Sequence, residues 1–324
     1  MSKSKNQDTQ KVCVSKKLEK STKKRRKSNQ VADSLERLGY EKKADRVRNC
    51  STEMVFAYIF AEDRYQLHHA NFCRERLCPM CAWHRTQQIF AQVSQVMDTI
   101  EQERPELVPI FLTLTVRNCS AAELNGTLDI VFKGWNNMMS GNSKVNRLVA
   151  GWFRALEITY NEQEDTYHPH IHAILLMPPS YFTTPKDYMT TEKWAQTWRK
   201  AMKLDYDPIC DIRRVETEEG KAGAVAEVAK YTVKDSDYLK DDEKLTDKLV
   251  SEFGKAIKGR RLVAFGGLMK DVAKRLKLNL DRLTPDEVTD EKGVVLRKDV
   301  DYILVLYRWN VGLSRYDYEG QISG

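Results

Sequence analysis

The sequence has no long apolar run. The longest candidates, residues 55–60 and 302–307, have only the length of a strand, whereas a membrane-spanning helix needs about 18 or more apolar residues. The N-terminus is basic, but no apolar core follows it, so we do not expect a secretory signal. These absences favour a cytoplasmic protein that does not span a membrane.

Histidine and cysteine are scarce, but both are clustered. The 324 residues include 6 histidines and 7 cysteines, yet three of the histidines lie within residues 168–172 and three of the cysteines within residues 73–81. In a reducing compartment we do not expect disulfides. The composition, with 41% apolar and 31% charged residues, is that of a folded protein of about two domains.

The positive charge is concentrated at the N-terminus. The net charge is +7, but residues 1–30 alone hold 11 Lys and Arg against two acidic residues, which leaves the remainder slightly acidic. This Lys/Ser/Gln-rich segment lacks apolar periodicity, so we expect a disordered tail. We expect it to contact nucleic-acid phosphates through Lys23, Lys24, Arg25, Arg26 and Lys27. A nuclear-localisation signal is the alternative interpretation of this run.

Apolar periodicity predicts a β-α-β-β-α-β-α order in the middle of the chain. Residues 153–160 and 170–177 are predicted strands separated by a polar connection, which predicts antiparallel neighbours. We therefore expect an α+β fold, with a central antiparallel sheet and helices on its faces. The predicted segments are a tail (1–30), a helical and zinc-binding module (31–105), a catalytic domain (106–240) and a C-terminal α/β extension that packs on the core (241–324).

The cysteine cluster has the spacing of a metal site. Cys73, Cys78 and Cys81 stand in CRERLCPMC, with Cys50 upstream, and four thiolates suit a structural zinc ion. Buried free thiols are an alternative, but so many cysteines beside charged residues make a poor core segment. An iron–sulfur cluster that uses Cys119 as the fourth ligand is a further alternative.

A second metal-binding pattern lies on one strand. His170 and His172 are two residues apart, so on a strand both project from the same face and two imidazoles can bind one divalent cation. Glu157 is an acidic residue within the neighbouring apolar strand, and we expect it to be the third ligand unless it pairs with a Lys or Arg. His168 has the same strand parity, but Pro169 follows it, so we expect it to support the ligands rather than bind.

A predicted helix near residues 222–234 carries Glu227 and Tyr231 four residues apart, which places them on the same face. Lys230 and Lys234 flank the tyrosine. This spacing alone is common and carries little information.

In combination, these motifs resemble those of the rolling-circle replication initiators of small bacterial plasmids, within the HUH endonuclease superfamily. The matching segments occur in the expected order: CRERLCPMCAWHR, FLTLTVRN, LEITYN, HPHIHAILL and EVAKYTVKDSDYL. They span about residues 50–240. The extreme N-terminus and the region beyond about residue 260 contribute no comparable motif.

The resemblance implies a role for each matching residue. His170 and His172 would hold Mg²⁺ or Mn²⁺ at the scissile phosphate, and Tyr231 would be the nucleophile that forms a 5′-phosphotyrosine and leaves a 3′-hydroxyl primer. Glu227 would activate water for the terminating cleavage. Lys234 and Lys230 would assist electrostatically, with Lys230 also contacting DNA.

The remaining alternatives concern the nucleophile and the protein class. Tyr238, seven residues after Tyr231, is a rival or second nucleophile. A transposase or relaxase with the same chemistry is one alternative function, and a non-catalytic zinc-containing DNA-binding regulator is another. For an initiator, the resemblance implies plasmid origin DNA, a host helicase and a polymerase as partners, and a homodimer is compatible with it.

Overall fold

A computed structural model describes residues 3–141, 143–215, 218–229, 233–280 and 301–322, without the side chains of residues 3–17 and 218. The helices within these residues are α1 (Lys3–Arg37), α2 (Glu41–Arg48), α3 (Pro79–Glu103), α4 (Ala121–Met138), α5 (Lys144–Leu148), α6 (Ser180–Thr183), α7 (Thr191–Met202), α8 (Glu218–Val228), α9 (Asp235–Tyr238), α10 (Glu243–Ile257) and α11 (Gly267–Arg275). The strands are β1 (Glu53–Ile59), β2 (Arg64–Ala70), β3 (Val108–Thr115), β4 (Gly151–Asn161), β5 (Thr166–Met177), β6 (Cys210–Arg214), β7 (Val263–Gly266), β8 (Tyr302–Asn310) and β9 (Arg315–Ile322).

The α+β fold class predicted from the sequence is confirmed. The described strands form two antiparallel sheets flanked by helices. From β3 to α8 the elements follow the predicted order, with two additional short helices, α5 and α6. Gly39 separates α1 from α2 with a φ of +79°, which glycine adopts without strain. The sequence of residues 293–297 predicts a further strand, and this segment lies outside the described residues.

One compact unit comprises Gln92–Asp237 and Glu252–Asp281. Its five-stranded sheet has the order β6-β3-β5-β4-β7. On one face, Trp152 of β4 meets Trp135 of α4 with ring centroids 5.1 Å apart, and α4 also packs on α7. Gly134 of α4 faces the Met202 side chain of α7 so closely that an added Cβ would require Met202 to shift. The opposite face of the sheet packs against α8.

The other compact unit comprises Met1–Ala91, Tyr238–Ser251 and Arg282–Gly324. Its four-stranded sheet has the order β2-β1-β8-β9, so strands from both ends of the sequence pair side by side. β1 is buried at six of its seven positions. The predicted C-terminal extension that packs on the core (241–324) is therefore divided: β7 and α11 belong to the unit of the five-stranded sheet, whereas β8 and β9 join this second sheet.

The N-terminal segment also differs from the prediction. α1 covers most of the predicted disordered tail, and a stripe along it is buried, namely Ser21, Arg25, Ser28 and Ala32. Their spacing of four, three and four residues defines one helical face. The sequence concealed this face because three of its four residues are polar rather than apolar.

Among the described residues, no helix is both long enough and apolar enough to cross a membrane.

Candidate active site

Three metal-binding side chains come together on the two central strands of the five-stranded sheet. Glu157 of β4 lies opposite His170 of β5 in the antiparallel register, and His172 follows two residues later. Because alternate residues of a strand share a face, all three side chains point the same way. One ligand atom from each lies within 4.8 Å of the others. We call these residues the triad.

Hydrogen bonds orient both imidazoles of the triad. The Nδ1 atom of His172 lies 3.0 Å from Oγ1 of Thr113, and that of His170 lies 3.3 Å from the carbonyl oxygen of His168. When the proton of each imidazole is on Nδ1, it is donated to these oxygens. The lone pair of each Nε2 atom is then available to bind a metal. Those Nε2 atoms lie 3.2 and 3.4 Å from Oε2 of Glu157. One carboxylate and two imidazoles fit a divalent cation such as Mg²⁺ or Mn²⁺, and three ligands leave positions open for substrate.

Glu157 also forms an ion pair with Lys234. The Lys234 Nζ atom lies 2.6 Å from Oε1 of Glu157, while Oε2 faces the two histidines. Burial acts to raise the pKa of Glu157, but hydrogen bonds to His170, His172 and Lys234 outweigh it and hold that pKa well below its usual range. The carboxyl group is therefore ionised at neutral pH, as a metal ligand must be. The two predicted roles of Glu157, as metal ligand and as partner of a lysine, are therefore compatible with each other.

Glu227 reaches the triad from α8. Its Oε1 atom lies 4.0 Å from Nε2 of His172, and its side chain is about one-third exposed. α8 packs on β4 and β5, so this carboxylate lies over the triad face and remains accessible to water. Such a position suits a group that activates a water molecule.

The predicted nucleophile Tyr231, and Lys230 before it, lie outside the described residues. The described residues on either side of this gap both approach the triad, because Glu227 lies at His172 and Lys234 pairs with Glu157.

Asp237 holds the segment that follows the gap. Its carboxylate accepts hydrogen bonds from the backbone N–H of Lys234 at 3.2 Å and from that of Tyr160, on β4, at 3.4 Å. Burial raises the pKa of Asp237, and these hydrogen bonds oppose that rise. Asp237 thus fastens the Lys234 backbone to the strand that carries Glu157. Sequence reasoning missed this residue because an aspartate in a polar stretch carries no distinguishing signal.

Tyr238 does not fit the role of rival nucleophile. Its side chain is 1% exposed, and its hydroxyl donates a hydrogen bond to the carbonyl oxygen of Leu77 at 2.8 Å. A phenol buried in this way is inaccessible to a DNA phosphate. The structure therefore assigns Tyr238 to the core.

The four cysteines form a second candidate metal site in the other compact unit. The Sγ atom of Cys81 lies 3.6 Å from that of Cys50 and 3.5 Å from that of Cys73, and Cys78 belongs to the same group. Tetrahedral zinc with bonds of about 2.3 Å separates its sulfurs by about 3.8 Å, so the spacing fits. Backbone N–H groups of Cys73 and Arg74 donate to Sγ of Cys50 and Cys81, which stabilises thiolates. Cys119 is not part of this group.

Arg25 and Ser28 of α1 lie beside the cysteines. The Ser28 hydroxyl is 3.4 Å from Sγ of Cys78. Arg25 is 2% exposed and donates to the carbonyl oxygen of Arg48 and to Oδ1 of Asn29. Burial lowers the pKa of Arg25, and negative charge on the nearby thiols opposes that change. A buried guanidinium cannot contact a DNA phosphate, so Arg25 leaves the predicted DNA-contacting set.

The other basic residues of that set have more accessible positions on α1. Lys23 and Arg26 are exposed, and Lys24 and Lys27 are half-buried. The Arg26 guanidinium donates to the carbonyl oxygen of Ser314, which fixes it on the surface of this unit.

Comparison with known proteins gives consistent matches. A family model described as "Replication protein" matches residues 64–317. A protein named "Protein rep" from Streptococcus pneumoniae serotype 2 is 37% identical over 256 residues, which cover 78% of each chain. Another of that name, from Bacillus amyloliquefaciens, is 37% identical and covers 79% of this chain and 81% of its own.

A "Replication protein" of Staphylococcus aureus is 34% identical over 234 residues, which are 69% of this chain and 96% of that protein. No solved structure matches the chain.

Proposed function

The chain belongs to the Rep family of plasmid replication initiators, as its motifs predicted, and we propose that it starts rolling-circle replication by nicking and rejoining one DNA strand at the plasmid origin. The observation that supports this most directly is the triad, with Glu227 and Lys234 beside it. The triad would serve a transposase or relaxase equally well, so the choice of replication rests on the family match. A non-catalytic regulator would leave the triad and Glu227 without a function.

In the proposed reaction, the Tyr231 hydroxyl attacks the scissile phosphorus. The new bond joins the phenolic oxygen to phosphorus, and the bond from phosphorus to the 3′ oxygen breaks. The phenol gives up a proton and the departing 3′ oxygen gains one, so the products are a 5′-phosphotyrosine and a 3′-hydroxyl. The covalent link retains the free energy of the phosphodiester, which allows the strand to be rejoined.

This attack requires electrostatic assistance. A phenol with a pKa of about 10 is ionised only about one part in a thousand at pH 7. Forming the phenolate at this pH therefore costs about 4 kcal/mol of free energy. Lys234, held at the triad by Glu157, places a positive charge three residues from Tyr231 in the sequence. Lys230 immediately precedes Tyr231 in the sequence. When bound, Mg²⁺ or Mn²⁺ polarises the phosphate and offsets the charge that develops on its oxygens.

We propose that Glu157, His170 and His172 bind this ion. Thr113 and the His168 carbonyl oxygen orient the two imidazoles. The 3′-hydroxyl then serves as primer for a polymerase, and a helicase separates the strands ahead of it.

Incubation with single-stranded oligonucleotides of random sequence in Mn²⁺, followed by a denaturing gel, tests the proposal. A protein–DNA band that survives denaturation supports it, whereas binding without such a band contradicts it.

Glu227→Gln is expected to separate the two cleavage steps. The variant keeps the size of the side chain but cannot accept a proton from water, and a general base contributes about 100-fold or more. Formation of the first adduct should remain within about three-fold of wild type. Hydrolytic release at the second cleavage should slow by about 100-fold.

Time courses on denaturing gels measure both steps. Glu219→Gln, an exposed position on the same helix, is the matched control and should leave both unchanged. An equal loss in adduct formation and release would remove Glu227 from the terminating step.

Asp237→Ala is expected to lower kcat for nicking by about 10-fold, with little effect on KM, because two backbone hydrogen bonds that position the Lys234 segment are lost. Asp237→Asn keeps one of the two acceptor oxygens and should therefore lie between wild type and the Ala variant. Ser236→Ala, at a neighbouring exposed position, controls for substitution in this turn. Equal behaviour of the Ala and Asn variants would show that the hydrogen bonds do not position the site.

We further propose that the four cysteines bind one structural Zn²⁺ ion. Because structural zinc contributes about 10 kcal/mol or more of folding free energy in small modules, Cys81→Ala should lower the melting temperature by about 10 °C or more. Elemental analysis should find about one zinc ion per wild-type chain and almost none in the variant.

Cys210→Ala is the control, because Cys210 is buried but stands apart from the cluster, and it should retain zinc. A brown protein that contains iron and sulfide would replace the zinc assignment with an iron–sulfur cluster.

For DNA binding, we propose that Lys23, Lys24, Arg26 and Lys27 of α1 contact phosphates, together with Lys230. These contacts carry no sequence information by themselves, and they serve to hold the origin against the protein.

A further inference from the structure

A cavity of about 440 Å³ lies at the end of β3. Its walls come from the residues after that strand, from α4 and from the segment after α7, and they include Arg117, Asn118, Ile130 and Tyr206. This volume is within the range of small-ligand pockets, about 300–1,000 Å³. None of these residues has a role in the chemistry described above.

The cavity and the triad lie on opposite faces of the sheet, at the end of β3. Thr115, the last residue of β3, is the register partner of His170 on the triad face, whereas Val116 of the cavity wall follows it directly and points to the other face, on which α4 meets Trp152. The His168 side chain hydrogen-bonds the backbone of Val116, and its ring centroid lies 5.3 Å from that of His170. A DNA strand that contacts both sites must therefore pass over the end of β3.

One wall of the cavity carries an arginine side chain stacked on an aromatic ring. The Arg117 guanidinium carbon lies 3.8 Å from the centroid of the Tyr206 ring, while the Arg117 backbone N–H donates to the Tyr206 hydroxyl at 2.9 Å. The Arg117 side chain is about two-thirds exposed, and Asp205 is 3.9 Å away. Arginine planes and aromatic rings are the surfaces on which proteins stack unpaired bases.

The rest of the wall is mixed in character. Ile130 is 48% exposed and gives a base an apolar surface. The Asn118 amide group donates to Glu164 at 3.2 Å and to Thr166 at 3.1 Å, which holds the side chain at the cavity and leaves its Oδ1 atom as an acceptor for the edge of a base. The lining also includes Glu123, whose carboxylate accepts a hydrogen bond from the backbone N–H of Ser120.

We propose that this cavity binds one unpaired nucleobase of the DNA strand whose scissile phosphate lies at the triad. The inference rests on the proposed nicking function and adds to it how the strand is positioned. The base stacks at Tyr206 and Arg117 with its edge toward Oδ1 of Asn118, and the DNA backbone passes over the end of β3 to the triad on the other face of the sheet. Anchoring a base in this way restricts the path of the strand, which helps to align the scissile phosphate for attack.

Binding measurements without divalent ions test the proposal, because no cleavage then interferes. The probes are fluorescein-labelled dT20 and a 20-unit abasic strand with the same phosphates. Wild type should bind dT20 at least about 10-fold more tightly, since stacking contributes about 1–3 kcal/mol per base. Tyr206→Ala should reduce that preference by about 5-fold or more and leave abasic binding within two-fold, which also shows that the variant is folded.

Two control variants test whether the aromatic ring of Tyr206 accounts for the preference for dT20. Tyr206→Phe keeps the stacking surface and should retain the preference within about three-fold. Tyr188→Ala removes another exposed tyrosine of the same compact unit, 46% exposed, and should behave as wild type. A Tyr206→Ala variant that keeps the full preference for dT20 would overturn the proposal.

Photocrosslinking locates the base directly. A dT20 strand with 5-iodouracil should crosslink to Tyr206, and crosslinks confined to residues away from the cavity would contradict the inference. Adduct formation in Mn²⁺ is measured on the same preparations. If adducts form but Tyr206 has no effect, the cavity proposal fails alone; if Tyr206 binds the base but no adduct ever forms, the nicking function fails instead.

Discussion

Tyr231→Phe is expected to lose strand nicking and the covalent protein–DNA adduct by at least about 1,000-fold. The variant keeps the ring but lacks the oxygen that bonds to phosphorus, and removal of a nucleophile commonly costs three or more orders of magnitude. Binding to single-stranded oligonucleotides should change by less than about three-fold, because the hydroxyl acts only in the chemical step. Adduct yield on a denaturing gel and binding by fluorescence anisotropy measure these effects.

Tyr238→Phe is the matched control. It removes the hydroxyl that donates to the Leu77 carbonyl oxygen, so it should lower the free energy of unfolding by about 1 kcal/mol and leave nicking unchanged. Retained nicking in Tyr231→Phe together with loss in Tyr238→Phe would transfer the nucleophile to Tyr238 and contradict the role assigned from its burial.

His172→Ala should lower the nicking rate by about 100- to 1,000-fold. The substitution removes one of three candidate metal ligands and also the contacts with Glu157 and Thr113. The apparent affinity for Mn²⁺ should fall as well, so the rate should no longer saturate at the concentration that suffices for wild type. Titration of the nicking rate with Mn²⁺ measures both effects.

Thr113→Val tests the support of His172 separately. It removes the oxygen next to Nδ1 but leaves Nε2 in place, and loss of such an outer contact typically costs about 10- to 100-fold in metal affinity or activity. We expect an effect at the lower end of that range.

For His172→Ala, an Mn²⁺ dependence equal to that of wild type would rule out His172 as a ligand.

The triad was predictable because strand parity leaves little freedom. Two histidines separated by one residue must share a face of β5, and an acidic residue within an apolar strand needs a compensating partner. The sequence did not reveal how Glu157 would be compensated. Its two oxygens serve different partners, the histidines on one side and Lys234 on the other, and Lys234 comes from a turn whose path depends on Asp237.

The four-stranded sheet was not predictable to the same extent. β1 and β8 are neighbours, although about 240 residues separate them in the sequence, and no local pattern reports a pairing of that range. The burial of Arg25 was missed for a different reason. A lysine- and arginine-rich run is usually solvated, and only the neighbouring cysteines and the ring of Trp309, 5.5 Å from the guanidinium carbon, explain why this one position faces inward.

Identification of the DNA-linked residue tests the central claim most directly. The adduct formed in Mn²⁺ is digested with nuclease and trypsin, and the modified peptide is sequenced by mass spectrometry. We predict a nucleotide joined through its 5′ phosphate to Tyr231. A nucleotide on any other residue, or cleaved DNA that carries a free 5′ phosphate with no modified peptide at any time point, would contradict the proposed mechanism.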